Sequence, residues 1–273
     1  MDYFKDKIAI VTGGASGIGR ALCRELSRNG SVVVVTDINS EGAEKVASEI
    51  STGGGRASAA SLDVCQAEDV QQIIDDVVSE HGRLDFMFNN AGIAIAGETR
   101  DTTIDHWRRV LDVDLHGVVY GTTAAYQVMV KQGFGHIVNT ASLVGLGPLP
   151  GGASYCAAKH AVVGLSTTLR LEAADLGVKV SVICPGAIDT EIFQASTYIR
   201  LNRDELLGNL PLKAMDVNRF AKRALKGVAR NREYIVIPFT ARFIWWLLRL
   251  YPGMLSPWGR HICRDLRKYR TES

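Results

Sequence analysis

Seven short runs rich in β-branched residues recur along the chain, at 7–11, 31–36, 57–62, 84–88, 135–140, 179–184 and 234–237. Longer stretches with recurring apolar faces, at 16–29, 40–51, 67–81, 103–131, 154–176 and 217–230, separate them. Strands alternating with helices build a parallel sheet covered by helices on both faces. The second run carries four consecutive valines, Val32 to Val35, which suits a strand buried on both sides. Gly30, Gly82, Gly133 and Gly177 stand where helix ends call for a left-handed residue. The expected fold class is α/β: a single doubly wound parallel sheet with helices on both faces. Residues 1–238 form that domain. The composition changes after Pro238, and 239–273 are expected to form a C-terminal helical extension.

At 273 residues, 47% hydrophobic and 22% charged, the chain has the apolar material for a sizeable core, which excludes a disordered or fibrous protein. The five cysteines, Cys23, Cys65, Cys156, Cys184 and Cys263, are odd in number and form no Cys-x-x-Cys pair, so no disulfide framework is expected. The six histidines show no ligand spacing, and no metal is expected. The net charge of +2 hides an asymmetry: residues from 240 onward hold seven basic and two acidic side chains, leaving the body at −3. Nucleic acid is therefore not an expected partner. The first residues are charged and the apolar run that follows ends at Thr12, too short for a secretory segment, so a cytoplasmic location is expected.

The first strand runs into Thr12-Gly13-Gly14-Ala15-Ser16-Gly17-Ile18-Gly19, which opens a helix. Glycines there let the backbone approach a pyrophosphate, and the helix N-terminus supplies free N–H groups. The same spacing also occurs in simple tight turns. Its context adds weight, because the second strand ends in Asp37, 18 residues after Gly19, where an acidic side chain meets an adenosine ribose. A carboxylate accepts from both ribose hydroxyls and repels a 2′-phosphate. Neither Ser16 nor Ile38 offers the cation a phosphate requires, so NAD is expected over NADP.

Tyr155 and Lys159 are four apart in a helical stretch and share one face. A neighbouring ammonium stabilises a phenolate and is expected to lower the tyrosine pKa, making the phenol a usable acid/base. Ser142 ends a strand, where its hydroxyl can hold a substrate oxygen beside the phenol.

Together these motifs, in this order, resemble the short-chain dehydrogenase/reductase family over about residues 5 to 238. The resemblance implies a Rossmann fold and assigns Tyr155 as acid/base, Ser142 as the substrate-orienting hydroxyl and Lys159 as the holder of the nicotinamide ribose. It places Asp63 and Val64 near adenine, and Asn90, Ala91 and Gly92 along the cofactor cleft. Pro185, Gly186, Ile188 and Thr190 fall against the nicotinamide, with Gly13, Ser16, Gly17, Ile18, Gly19, Asp37 and Ile38 around the phosphates and adenosine. The family's Val-Asn-Leu-x-Gly segment reads Val113-Asp114-Leu115-His116-Gly117 here, so an aspartate, Asp114, replaces the asparagine of the catalytic tetrad. The family also implies a homodimer or homotetramer.

By the same resemblance, residues of about 190–212 cover the substrate. Their apolar side chains, among them Ile192, Phe193, Tyr198, Ile199, Leu210 and Leu212, with Leu143, Val144, Leu146 and Leu149, favour a hydrophobic alcohol or ketone such as a steroid, retinoid or lipid-like compound. The alternative is that part of this set packs into the core. Three of the four tryptophans, Trp245, Trp246 and Trp258, lie in the extension, interleaved with arginines. Its longest uncharged apolar run, 243–248, is far too short to span a bilayer. Two readings stand for 239–273: a peripheral membrane contact, or packing over the cleft or against another subunit. For the whole chain the readings are an NAD(H)-dependent dehydrogenase, an NADP-linked carbonyl reductase, and a nucleotide-binding membrane-associated or scaffold protein with little turnover.

Overall fold

The computed structural model describes residues 1–209 and 214–271. The first half alternates strictly: β1 (Ile8–Thr12), α1 (Gly17–Arg28), β2 (Val32–Asp37), α2 (Ser40–Thr52), β3 (Arg56–Ser61), α3 (Ala67–His81) and β4 (Phe86–Asn89). A two-residue strand, β5 (Ile95–Ala96), precedes α4 (Ile104–Leu111) and α5 (Gly117–Gln132). Then come β6 (Gly135–Thr140), α6 (Ala153–Glu172), β7 (Val178–Pro185), α7 (Ile192–Ala195), β8 (Thr197–Tyr198), α8 (Arg203–Gly208), α9 (Val217–Ala229) and β9 (Tyr234–Ile237). Two helices, α10 (Phe239–Leu250) and α11 (Leu255–Leu266), form the C-terminal extension.

Seven strands form one sheet in the order β3-β2-β1-β4-β6-β7-β9, and every pairing is parallel. The expected doubly wound α/β architecture is present, with a helical C-terminal region added to it. Strand order reverses between β1 and β4, the switch point at which such sheets open a ligand crevice at their carboxyl edge. One apolar layer joins Val33, Val35, Leu22, Leu26, Phe220 and Leu225 on one face; the other joins Ile10, Val34, Ile74, Met87, Met129 and Ile137. The valine run is thus buried on both sides because alternate residues serve opposite layers.

The left-handed residues fall where helices end: Gly82, Gly133 and Gly177 have φ of 71°, 73° and 75°. The helix expected over 103–131 carries an interruption. Between α4 and α5 the backbone forms a π-helical turn, Asp112–His116, with Asp114 at its centre. Such turns widen a helix locally and swing one side chain out of register. The small sheet of β5 and β8, pairing Ile95 with Thr197 and Ala96 with Tyr198, had no sequence signal, because two-residue strands carry no periodicity.

Candidate active site

The glycine turn leaves β1 and enters α1 with Gly13 at φ 65° and Gly17 at φ 48°, conformations that side chains rarely adopt. A Cβ on Gly13 would sit 2.8 Å from the Ala91 Cα, and one on Gly19 would sit 2.0 Å from the Gly13 carbonyl oxygen. The turn is therefore packed against the β4 loop and has room only for glycine. Ser16 does not cap α1 with its side chain, so the first amides of that helix point into the cleft without a side-chain partner. Ile18 packs on the core beneath the turn.

Asp37 closes β2, and its carboxylate ties the turn together by accepting from the Ala15 amide at 3.0 Å and the Asn39 amide at 2.9 Å. Each oxygen keeps a lone pair for a further donor. Ile38 beside it is exposed, an apolar side chain where a 2′-phosphate would need a cation. Asp63 accepts from the Cys65 amide at 3.0 Å, and Val64 is buried at the carboxyl end of β3.

Thr12, which the sequence reading passed over, ties the next motif down: its hydroxyl accepts from the amides of Asn90 and Ala91 at 2.9 and 3.0 Å. The Asn90 amide group donates to the Thr12 carbonyl. Behind it, Asn89, Thr122, Asn139 and Ser166 form a buried hydrogen-bonded network linking β4 and β6 to α5 and α6. From the far side, the loop after β7 brings Thr190 to the glycine turn, 3.5 Å from where a Gly17 Cβ would stand. Pro185 and Ile188 are buried, while a Cβ on Gly186 would press on Ala241 of α10 at 3.0 Å.

Ser142 from the loop after β6, Tyr155 and Lys159 from α6 and Asp114 from the π turn meet at the centre of this edge. Lys159 is 2% exposed and Asp114 is wholly buried. Their charges pair at 3.0 Å between Nζ and Oδ2. Asp114 Oδ1 accepts from the Ile93 amide at 2.8 Å, and the Lys159 ammonium donates to the Thr140 carbonyl at 3.2 Å. The same ammonium stands 5.6 Å from the centre of the Tyr155 ring. Gly92 lies over the pair: a Cβ there would be 3.3 Å from Asp114 Oδ2 and 3.4 Å from the ammonium.

This arrangement corrects one expectation. Tyr155 is raised above the ordinary tyrosine value, not lowered. Enclosure is the largest cause; Lys159 and the Ser142 hydrogen bond pull the other way, and Asp114 pushes upward again. Burial works against the charge on Lys159, but Asp114 and Tyr155 outweigh it and hold the ammonium above the usual lysine value. Burial raises Asp114, opposed by Lys159 and the Ile93 amide. The aspartate thus cancels part of the field that would otherwise favour a phenolate.

The apolar wall is also narrower than the sequence suggested. Tyr155 packs with Ile93, Ile95, Val110, Ala158 and Ile199. Leu143 and Leu146 instead pack with Val118, Val162, Cys184 and Trp245 into the core. Leu149 and Phe193 are exposed, and Leu210 and Leu212 lie outside the described residues.

Residues 269–271 pair with 200–202, inside the segment expected to cover the substrate. Leu201 bridges Arg270, the Asn202 amide donates to the Tyr269 carbonyl at 2.7 Å, and the Thr271 amide to the Arg200 carbonyl at 3.1 Å. Arg267 grips Glu98 with two hydrogen bonds, at 2.9 and 2.7 Å, and Arg270 spans Glu98 and Asp101. Arg200 reaches Asp101 at 3.5 Å. These partners are up to 172 residues apart, so no local pattern announces them.

Residues 7–198 match the family model described as short chain dehydrogenase. The chain belongs to that family. It is 39% identical over 237 residues to a cyclohexanol dehydrogenase of Acinetobacter sp. (strain SE19), covering 85% of this chain and 94% of that one. The SadH protein of Mycobacterium tuberculosis (strain ATCC 25618 / H37Rv) is 33% identical over 274 residues, covering 98% of both, a likeness that takes in the C-terminal extension. Among solved structures, a short chain dehydrogenase/reductase from Burkholderia phymatum in complex with NAD superposes with a TM-score of 0.81 at 25% identity, covering 100% of this chain and 98% of that one. Among the described residues no helix is long and apolar enough to cross a membrane.

Proposed function

We propose that the protein is an NAD(H)-dependent oxidoreductase that interconverts a hydrophobic secondary alcohol and its ketone. One observation carries the reading: Ser142, Tyr155 and the buried Lys159 converge at the sheet's carboxyl edge, beside a glycine turn that opens a helix. Gly13, Gly17, Gly19 and the uncapped start of α1 would hold the pyrophosphate, Asp37 the adenosine ribose, and Thr190 with the Pro185 loop the nicotinamide end. When bound, the nicotinamide supplies the carbon that takes or gives the hydride.

The residues handle the proton and the oxygen. In the oxidative direction the Tyr155 oxygen takes the alcohol proton, and the Ser142 hydroxyl donates to the same substrate oxygen as charge develops on it. In reduction Tyr155 returns the proton. Lys159 favours the ionised phenol; Asp114 pairs with Lys159 and accepts from the Ile93 amide, so it is a positioning residue that sets how strongly the ammonium acts. The exposed Ile38 beside Asp37 supports NAD over NADP. The half-buried Ile93 and Ile199 beside Tyr155 support an apolar substrate, in keeping with the alcohol named for the Acinetobacter relative.

Purified protein titrated with NADH and NADPH by fluorescence, then given cyclic, steroid, retinoid and aliphatic ketones, tests this. Tighter NADH binding with turnover of apolar ketones is expected. NADH binding with no turnover across the panel would favour a nucleotide-binding protein disabled through the Asp114–Lys159 pair, and NADPH preference would overturn the role given to Asp37.

A further inference from the structure

Helix α10 has two apolar faces. Ala241 and Leu248 are buried, and Trp245 packs on Tyr234 of β9 with ring centres 4.9 Å apart. The opposite face carries Phe239, Phe243, Trp246 and Leu250, which are 74%, 50%, 55% and 64% exposed. These positions recur at helical spacing, and Phe243 stacks on Trp246 in the open. Tyr251 and Trp258 continue the exposed aromatic surface beyond the helix. A stripe of this kind is more than scattered surface hydrophobicity.

A second feature adjoins it. Between α9, the edge strand β9 and α10 lies a groove of about 530 Å³. Arg223, Lys226, Arg230, Arg232 and Arg242 line it against a single acidic residue, Glu233. All five cations are exposed. None of them forms an ion pair among the described residues. Phe239 belongs both to the groove and to the aromatic stripe, so the two surfaces are continuous. From Phe239 to Arg264 the chain has four arginines and no acidic residue.

We propose that α10 lies in the plane of an anionic phospholipid membrane, its aromatic face among the acyl chains and the α9–β9–α10 groove around a phosphate headgroup. This goes beyond the dehydrogenase reading and does not rest on it. Aromatic side chains favour the boundary between headgroup and acyl chain, and clustered cations are drawn to an anionic leaflet. A second copy is the poorer occupant: a symmetric contact would set five unpaired cations against five more. At 12 residues α10 is too short to span a bilayer and is suited to lying flat.

The test uses the full chain with phosphatidylcholine vesicles, with and without phosphatidylglycerol, read by co-sedimentation and by tryptophan fluorescence. Sedimentation only with phosphatidylglycerol, with a blue shift lost in Trp246→Ser, is expected. Arg223→Glu with Arg230→Glu should weaken partitioning by about fivefold or more for each arginine removed. Unchanged thermal unfolding of each variant shows that the fold is intact. Sedimentation equally strong on phosphatidylcholine alone, or on neither vesicle, would overturn the proposal. So would complete displacement by free inorganic phosphate, which would make the groove a soluble-anion site, or a concentration-dependent dimer that Trp246→Ser dissolves, which would make the face a subunit contact.

Discussion

The two walls of the cleft are held in different ways. On the β1–β2 side, the glycine turn, Asp37 and the Asn90 loop are locked by backbone amides and by the Thr12 hydroxyl, and nearly every bond joins groups at the sheet edge. On the other side, the segment Arg200–Asn202, proposed as the substrate cover, is held by residues 269–271, while arginines grip Glu98 and Asp101 beside it. The first wall is held by backbone amides at the sheet edge; the second hangs on Arg267 and Arg270, 53% and 29% exposed, whose partners Glu98 and Asp101 are 15% and 6% exposed, so salt reaches these pairs from the arginine side only. In the proposed function that division has a use, since the first wall would orient the cofactor and the second would admit the substrate.

The comparison can be broken most sharply at Asp37. Asp37→Asn keeps an acceptor for the Ala15 amide but removes the charge that repels a 2′-phosphate, and the preference for NADH over NADPH is expected to fall by about a hundredfold. The measurement is competitive binding of the two reduced cofactors. A preference left intact would place cofactor choice elsewhere.

A smaller effect is expected between the walls, at the buried pair. Lys159, Asp114 and the Ser142 hydroxyl face the phenol, with Cys156 contributing more weakly. Removing the negative charge in Asp114→Asn relieves an influence that raises Tyr155, so the phenol ionises at lower pH and the rising limb of alcohol oxidation moves to lower pH. The asparagine still accepts from the Ile93 amide, so stability should change less than with Asp114→Ala, which leaves a buried ammonium without its partner. An unmoved limb would mean that the aspartate does not act through the lysine.

The mildest change is expected in the strap. Arg267→Ala with Arg270→Ala should raise the substrate KM by about threefold while NADH affinity and kcat stay level, and added salt should do the same to the wild type. An equal loss of NADH affinity would show that the two walls are not independent.

The first wall was legible in the sequence as local motifs; for the second the sequence offered a cover at about 190–212 and packing over the cleft as one reading of 239–273, without the partners, for physical reasons. Glycines forced into left-handed turns, a valine run buried on both faces and a Tyr-x-x-x-Lys pair on one helix face are local patterns, and all three appear where expected. Asp114 was legible as a departure from the family segment that could pair with Lys159 and retune the tyrosine, but the direction of its effect was not. Only burial beside Lys159 at 3.0 Å reveals that it raises Tyr155 against the lysine's pull. The Leu143 and Leu146 side chains were assigned to the pocket because the sequence cannot say on which side of a loop they pack; Trp245 in the extension draws them into the core. The clasp of Glu98 by Arg267, 169 residues away, has no local trace.

The central claim is that Tyr155 moves the proton in a cleft whose cofactor wall is held by backbone amides. The most direct test compares wild type and Tyr155→Phe in NADH binding and in turnover of the best apolar ketone. The account predicts NADH affinity unchanged within about twofold and turnover lower by a factor of about a hundred to ten thousand. Turnover retained within tenfold by the phenylalanine variant would contradict it.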